Sequence, residues 1–209
     1  PFTLDIFDLP GAIHTYAFGL NEQGDVVGFG EFAGSPANDG YKRSGGTFQS
    51  LGNVSPSDIS STGTVVGLVG SSGFFTSGFV MPAGGSLDTS GPPGATFWNP
   101  LGINDLGQMS GYMHTATQFS LGFVWDGTTL TTYVLPPGVP VAGAVGPLIR
   151  NVNNHGQMVG SYLVGNPAPG TSTSQTSIAP RIVVVSPGWL ESAVQTNSVV
   201  RSSPPSMHA

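Results

Sequence analysis

Residues capable of catalysis or metal binding are sparse in this chain. The four histidines are far apart, so no two have the short spacing of zinc ligands; they are His14, His114, His155 and His208. The serines include no Gly-x-Ser-x-Gly elbow, the motif that presents a nucleophile. The chain has no cysteine, which excludes disulfides, thiolate metal sites and a cysteine nucleophile. We therefore expect no catalytic residue, no metal site and no cofactor.

The acidic residues also lack the arrangement of an acid–base pair. The nearest pair, Asp5 and Asp8, lies on a predicted first strand and its flank, where we expect exposure to solvent. Asp105 and Asp126 fall in predicted turns, a position that Asp takes because its side chain bonds to nearby backbone. A ring-shaped fold could still bring distant residues together at its axis, so an enzyme stays open as an alternative.

Aromatic side chains are candidates both for core packing and for stacking on sugar rings. Eight of them lie on predicted strands: Tyr16, Phe18, Phe79, Phe97, Trp98, Phe123, Trp125 and Tyr133. We expect most of these to be core. The alternative is an exposed aromatic row that binds a glycan, as lectin-like sites do.

The elements that position these residues come from a ten-residue cassette that occurs four times. It reads GLNEQGDVVG from Gly19, DISSTGTVVG from Asp58, GINDLGQMSG from Gly102 and NVNNHGQMVG from Asn151. Each copy has a four-residue turn ending in glycine, which supplies the positive φ that closes a type I turn with a bulge. The cassette thus predicts a β-hairpin. A calcium loop would need several carboxylates at alternating positions, and each turn carries at most one.

The spacing of the cassettes predicts the architecture. The turn glycines, Gly24, Gly63, Gly107 and Gly156, are 39, 44 and 49 residues apart, and periods of about 40–50 residues are typical of propeller blades. An aromatic strand follows the first three cassettes, beginning at Gly40, Gly78 and Gly122. We predict an all-β, propeller-like fold with about four blades of antiparallel strands. Residues 1–201 form one domain and residues 202–209 an extended tail.

The amino-terminal segment, residues 2–9, is predicted to be a strand because Phe2, Leu4 and Ile6 alternate with other residues. It would complete the last blade, either in its own chain or in a neighbouring subunit. Residues 190–194 and 196–201 compete for that place. If they fill it, the amino-terminal strand is left to pair with a neighbour, which is polymerisation by β-augmentation.

The cassettes and the strands around them, with the pattern PGA…GINxxGQxVG…GFxW over roughly residues 4–190, resemble the HAF repeats. The second copy departs from the pattern, since it lacks the Asn and its leading Gly. HAF repeats occur in predicted extracellular bacterial proteins, and the resemblance implies a β-propeller-like fold and an extracellular or cell-surface location. It implies no catalytic residue.

Composition limits the partners. The net charge is −6 and the chain has only five basic residues, scattered in sequence, which argues against nucleic acid. No apolar run approaches the roughly 18–20 residues of a membrane span, so no membrane insertion is expected. Charged residues are only 8% of the chain, which is typical of a secreted or surface protein. The absence of an initiating Met favours a processed chain, with a piece of a longer propeller as the alternative.

Two functions follow from these observations. The first is a non-enzymatic extracellular structural protein, a homo-oligomer or polymer whose subunits build a fibre, matrix or surface layer through β-strand complementation. The alternative is a secreted glycan-binding module or a carbohydrate-active enzyme on a propeller scaffold.

Overall fold

The computed structural model describes residues 4–35, 37–70, 75–134, 146–165 and 178–185, and these form four antiparallel sheets in chain order. Sheet 1 contains β1 (His14–Leu20), β2 (Val26–Glu31), β3 (Asp39–Ser44) and β4 (Thr47–Gly52). Sheet 2 contains β5 (Val54–Ile59), β6 (Val65–Val69) and β7 (Ser77–Met81). The predicted all-β class is confirmed.

The other two sheets repeat this order. Sheet 3 contains β8 (Ala95–Ile103), β9 (Met109–Thr115), β10 (Leu121–Trp125) and β11 (Leu130–Tyr133). Sheet 4 contains β12 (Leu148–Val152), β13 (Met158–Gly165) and β14 (Ile178–Val185). Every sheet is a simple meander in which each strand pairs with the next along the chain. In each sheet the cassette joins the first strand to the second.

The predicted cassette hairpins are confirmed. In all four turns the glycine N–H donates to the carbonyl three residues earlier, at 2.9–3.1 Å. The acceptor residues are Asn21, Ser60, Asn104 and Asn153. The φ of the turn glycines lies between 72° and 82°, a left-handed conformation that costs glycine little.

Glycine is required at the second glycine position of each cassette for a different reason. A Cβ on Gly28 would overlap the carbonyl oxygen of Tyr16 on the first strand, and Gly111 stands in the same relation to Asn99. Gly67 and Gly160 make the same close approach to the carbonyls of Ser55 and Leu148. This glycine is needed for space, because the first and second strands touch there.

The first strand of every sheet contains a β-bulge at the same place. The register shifts by one residue three positions before the turn, and this leaves one extra residue on the first strand. The extra residues are Phe18, Ser57, Leu101 and Arg150. The bulge thus occurs at the same distance from the turn in the first strand of each of the four described sheets.

Successive sheets pack face to face. β5 packs on β1 and β2, β8 on β6 and β7, and β12 on β8 and β9. Apolar side chains fill the three interfaces: a cluster around Val27 and Phe79, a larger one around Trp98 and Phe123, and a small one around Ile149. Within the described residues, sheet 4 packs on sheet 3 and not broadly on sheet 1, so the sheets form an open row.

The predicted amino-terminal strand is wrong over the part that the structure describes. Residues 4–9 form no β-ladder, and Leu4 and Ile6 are 83% and 81% exposed. Phe7 instead packs across sheet 1, with its ring 6.4 Å from Tyr41 and 5.9 Å from Phe48. Leu9 is buried. The alternation pattern failed because aromatic packing holds the segment across the strands instead of beside one.

The predicted fourth strand is present in two sheets only among the described residues. In sheet 1 it is β4, which no Pro-Gly corner follows; in sheet 3 it is β11. In sheet 2 the segment around Asp88 makes a single bridge to Val80 and not a full strand. The competing strands at 190–194 and 196–201, most of the insertion, and the tail at 202–209 lie outside the described residues.

Candidate functional site

The four cassette turns lie side by side and are joined by hydrogen bonds, an arrangement that we call the turn ladder. Asn21 Nδ2 donates to the carbonyl of Ser60, 3.1 Å away, and Asn104 Nδ2 donates to the carbonyl of Asn153 at 3.0 Å. These two asparagines therefore hold their own turn and also bond to the turn of the next sheet. Asn21 and Asn104 are buried, at 8% and 5% exposure.

A second set of bonds runs through the next residue of the second, third and fourth turns. Ser61 N–H donates to Asp105 Oδ1 at 2.7 Å, and Asp105 N–H donates to Asn154 Oδ1 at 2.9 Å. Asn154 Nδ2 donates back to Asp105 Oδ2 at 2.9 Å. The Asn154 side chain, followed by the Ser61 N–H, holds the pKa of Asp105 below its usual value. The ladder thus crosses from sheet 2 to sheet 4 without a break.

Asp58 fills the place that the leading glycine has in the first and third cassettes. Its Oδ2 accepts a hydrogen bond from Ile103 N–H at 3.0 Å, and its Oδ1 accepts one from Ile59 N–H at 2.9 Å. Burial raises the pKa of Asp58, and these two backbone bonds offset part of that rise. The carboxylate is therefore a further link between sheets 2 and 3, in the copy that lacks the Asn.

Sheet 1 has a face that no other sheet covers among the described residues, defined by Ala17 and Leu20 on β1. Leu20 is 67% exposed and Ala17 is exposed. The residues at the same positions in the other three sheets are all buried beneath the preceding sheet: Pro56 and Ile59, Pro100 and Ile103, Ile149 and Val152. In the part of the chain that the structure describes, sheet 1 therefore has an apolar face like those of the later sheets but has no sheet packed on it.

The contact that covers each later sheet depends on a glycine of the third strand. A Cβ on Gly78 would lie 2.6 Å from Trp98 and 2.7 Å from Pro100. Gly40 meets Val54 and Pro56 in the same way, and Gly122 meets Pro147 and Ile149. At the corresponding register position of sheet 4, Ser161 pairs with Ile182 of β14.

A cavity of about 260 Å³ lies where the four first strands converge, and we call it the axial cavity. All four bulge residues line it: Phe18, Ser57, Leu101 and Arg150. Phe29, Ser55, Pro56, Leu68 and Asn99 complete the lining. Each bulge displaces one side chain from the alternation of its strand, and the four displaced side chains meet in one place.

The axial cavity combines an aromatic wall with a few polar groups. The rings of Phe18 and Phe29 stack with centroids 5.6 Å apart and planes at 24°. Asn99 is 8% exposed, and its Oδ1 is buried and accepts no hydrogen bond from the described residues. The described residues form two ion pairs, Lys42 with Asp25 and Arg43 with Asp5, and neither involves Arg150. No carboxylate is among the described residues that line the cavity.

The residues considered for chemistry from sequence are not brought together. His14 lies at the exposed edge of sheet 1, and His114 stacks on Phe119 in sheet 3, with ring centroids 4.1 Å apart. His155 is in the last cassette turn, and His208 lies outside the described residues. Among the described residues no three His, Asp or Glu side chains are grouped as metal ligands would be.

The acidic candidates have structural partners. Asp5 pairs with Arg43 at 3.0 Å, and Asp126 accepts hydrogen bonds from the backbone N–H groups of Thr128 and Thr129 within its own turn. Those two bonds hold the pKa of Asp126 below its usual value. Asp105 belongs to the turn ladder. These contacts explain the positions of the three residues without a catalytic role.

The expectation that the aromatics are core holds for part of the set. Phe79 and Phe123 are fully buried and Trp98 is 2% exposed, whereas Tyr16 and Phe18 are 39% and 59% exposed. Aromatic side chains on β1 and β2 therefore form an exposed group, and two of its members, Phe18 and Phe29, line the axial cavity. Of the four bulge residues, only Phe18 was a candidate from sequence; the bulges themselves were missed, although each lies three residues before the first position of its turn.

No family model, no curated protein and no solved structure matches this chain. No helix long and apolar enough to cross a membrane occurs in the part of the chain that the structure describes.

Proposed function

We propose that this chain is a non-enzymatic structural subunit, outside the cell or on its surface, that assembles head to tail. Sheet 4 of one copy covers sheet 1 of the next. The observation that carries this proposal is the exposure of Leu20, at 67%, where Ile59, Ile103 and Val152 are buried. The exposed apolar face of sheet 1 resembles the three faces that are buried beneath a preceding sheet. It is therefore suited to being covered by another sheet of the same kind.

The turn ladder supports the same direction of assembly. Asn21 and Asn104 each donate to the turn of the following sheet, whereas Asn153, in the last cassette, donates to Gln157 of its own turn at 2.8 Å. Asn153 is exposed. In a head-to-tail pair, the last turn of one copy lies beside the first turn of the next. The ladder then continues across the interface.

Contact between sheet 4 of one copy and sheet 1 of the next would be a heterologous interface. Such an interface forms open filaments if it does not close.

The radial arrangement belongs to the same proposal. The first strands converge on the axial cavity and the later strands lie outward, as in the blades of a propeller. We propose that the four sheets are four blades of a propeller-like arc. Phe7 and Leu9 are held within their own chain, so we do not propose that subunits assemble by exchange of residues 2–9. We propose instead that they assemble by packing of sheet faces. The extracellular location depends on the resemblance to HAF repeats and on the low content of charged residues.

Sedimentation analysis over a concentration series tests this function. We expect the mass of the wild-type protein to rise with concentration beyond a dimer, and Leu20→Glu to remain a monomer, because the carboxylate would be buried at the interface. Leu106→Glu is the matched control, since Leu106 is 66% exposed on a turn outside that face. A monomeric wild type, or a Leu20→Glu variant that assembles equally well, would contradict the proposal.

A second function, binding of a glycan, is favoured by one observation: the aromatic pair of Phe18 and Phe29 in the wall of the axial cavity. Apolar walls with a few polar groups are typical of ligand sites. Glycoside hydrolysis normally needs two carboxyl groups beside the bond, and the described lining has none. The cavity therefore favours binding over catalysis.

A further inference from the structure

We propose that the axial cavity binds a uronic acid residue of an acidic polysaccharide. The proposal builds on the glycan-binding function and is independent of head-to-tail assembly. Three features of the lining identify the ligand: the aromatic wall, the Ser57 hydroxyl, and an exposed cation without a carboxylate partner among the described residues of the lining.

The wall of the cavity selects a ligand with an apolar face. Phe18 and Phe29 present stacked rings, and Leu68 and Leu101 provide aliphatic surface. A pyranose ring has one face of C–H groups, which packs on such a wall, while its hydroxyl groups point outward around the ring. A fully charged or fully polar ligand would leave this wall without a contact.

The polar groups of the lining suit the hydroxyl groups of a sugar. Ser57 lines the cavity, and its hydroxyl can donate to or accept from a sugar hydroxyl group. Asn99 contributes to the wall, but its Nδ2 donates to Tyr112 Oη at 3.3 Å and its Oδ1 lies beneath the surface, out of reach of a ligand in the cavity.

Arg150 selects a carboxylate. It is a bulge residue of β12 and it lines the cavity, and no acidic side chain of the described lining neutralises it. The planar guanidinium binds a carboxylate through two parallel hydrogen bonds. A uronic acid differs from the neutral hexose by having a carboxylate in place of a hydroxymethyl group, so it supplies the anion while it keeps the C–H face and the hydroxyl groups.

The axial cavity is open to solvent, with a volume of about 260 Å³. A sugar unit bound in it can therefore continue into a longer polysaccharide outside the cavity.

Titration calorimetry with matched sugars tests the proposal on the full chain. The probes are galacturonate and glucuronate, each compared with galactose or glucose. We expect each uronate to bind about tenfold more tightly than its neutral partner, since one charge-assisted pair is worth roughly that factor. Arg150→Gln should reduce uronate binding to the level of the neutral sugar, and Arg150→Lys should keep part of the preference.

Two controls separate the cavity from other effects. Phe18→Ala should weaken both members of each sugar pair, whereas Phe119→Ala, which removes a 65% exposed ring outside the cavity, should change neither. Repeating the titrations in the Leu20→Glu background separates binding from assembly. The proposal is overturned if neither uronate binds, if uronates bind no better than neutral hexoses, or if Arg150→Gln keeps the preference. If all four sugars bind weakly and equally, the preference for uronates is overturned and only the general glycan-binding function remains.

Discussion

At the scale of single residues, each cassette keeps two glycines for two different physical reasons. Gly107 has a φ of 78° with open space around it, so the backbone conformation is what demands glycine. Gly111 has no positive φ, but its backbone touches the carbonyl of Asn99. The sequence predicted the first reason, because turn chemistry is local. The second depends on where the partner strand lies.

The asparagine of the cassette also has two roles, which Asn104 and Asn153 separate. Both accept backbone N–H bonds within their own turn, and both donate to the Gln four residues on. Only Asn104 also donates to a turn of the next sheet among the described residues. The pair therefore isolates the bond between sheets.

We predict that Asn104→Ala lowers the free energy of unfolding by about 1 kcal/mol more than Asn153→Ala does. The difference is the usual net value of one hydrogen bond, because the Asn153 carbonyl keeps its bond from Gly156 N–H in both variants. Urea denaturation of the two variants, followed by circular dichroism in a dilute monomeric sample, measures it. Equal losses would show that the bond to Asn153 contributes nothing to stability.

At the scale of elements, local patterns predicted the hairpins and failed for the amino-terminal segment. Asn-x-x-Gly with flanking Val pairs determines a hairpin whatever surrounds it, and all four formed. Residues 4–9 alternate as a strand would, yet Phe7 packs on Tyr41 and Phe48, and the guanidinium of Arg43 lies 4.4 Å from the Phe7 ring. Those partners lie more than 30 residues away in the chain, so no local pattern reveals them.

The bulges were also beyond local prediction, and with them the axial cavity. At the bulge position, immediately before each cassette, the four sheets differ completely in chemical type, from Phe18 and Ser57 to Leu101 and Arg150. The residues on either side of the bulge keep the same structural roles in all four sheets. Variation at one register of otherwise similar units is the signal that could have found the cavity, because packing does not constrain side chains that point into open space.

Phe7→Ala tests the anchoring of the amino-terminal segment. We expect it to lower the free energy of unfolding by about 1–2 kcal/mol, since it removes two ring contacts and a cation–π contact at a half-buried site. Ile6→Ala is the matched control and should stay within about 0.5 kcal/mol of wild type, because Ile6 is 81% exposed. Thermal melting measures both, and sedimentation of Phe7→Ala should show unchanged assembly. If assembly is lost instead, the segment acts between subunits.

At the scale of the whole molecule, we expect the two ends of the row of sheets to be complementary. Sheet 1 begins the turn ladder with an uncovered face, and sheet 4 ends it with Asn153 and Asn154 exposed. A row of this kind either continues in a second copy or closes on itself. Net charge of −6 on 209 residues is a weak barrier to association.

A disulfide test distinguishes these arrangements most directly, because the chain has no cysteine of its own. Glu22 and Asn154 occupy the same position in the first and last turns, and within the chain Asp105 and Asn154 already touch at 2.9 Å. The variant Glu22→Cys with Asn154→Cys is oxidised and run on a non-reducing gel, and Asp105→Cys with Asn154→Cys serves as the positive control for a link within one chain. Head-to-tail assembly predicts a ladder of covalent multimers for the first variant. A cross-linked monomer or two free thiols would contradict it.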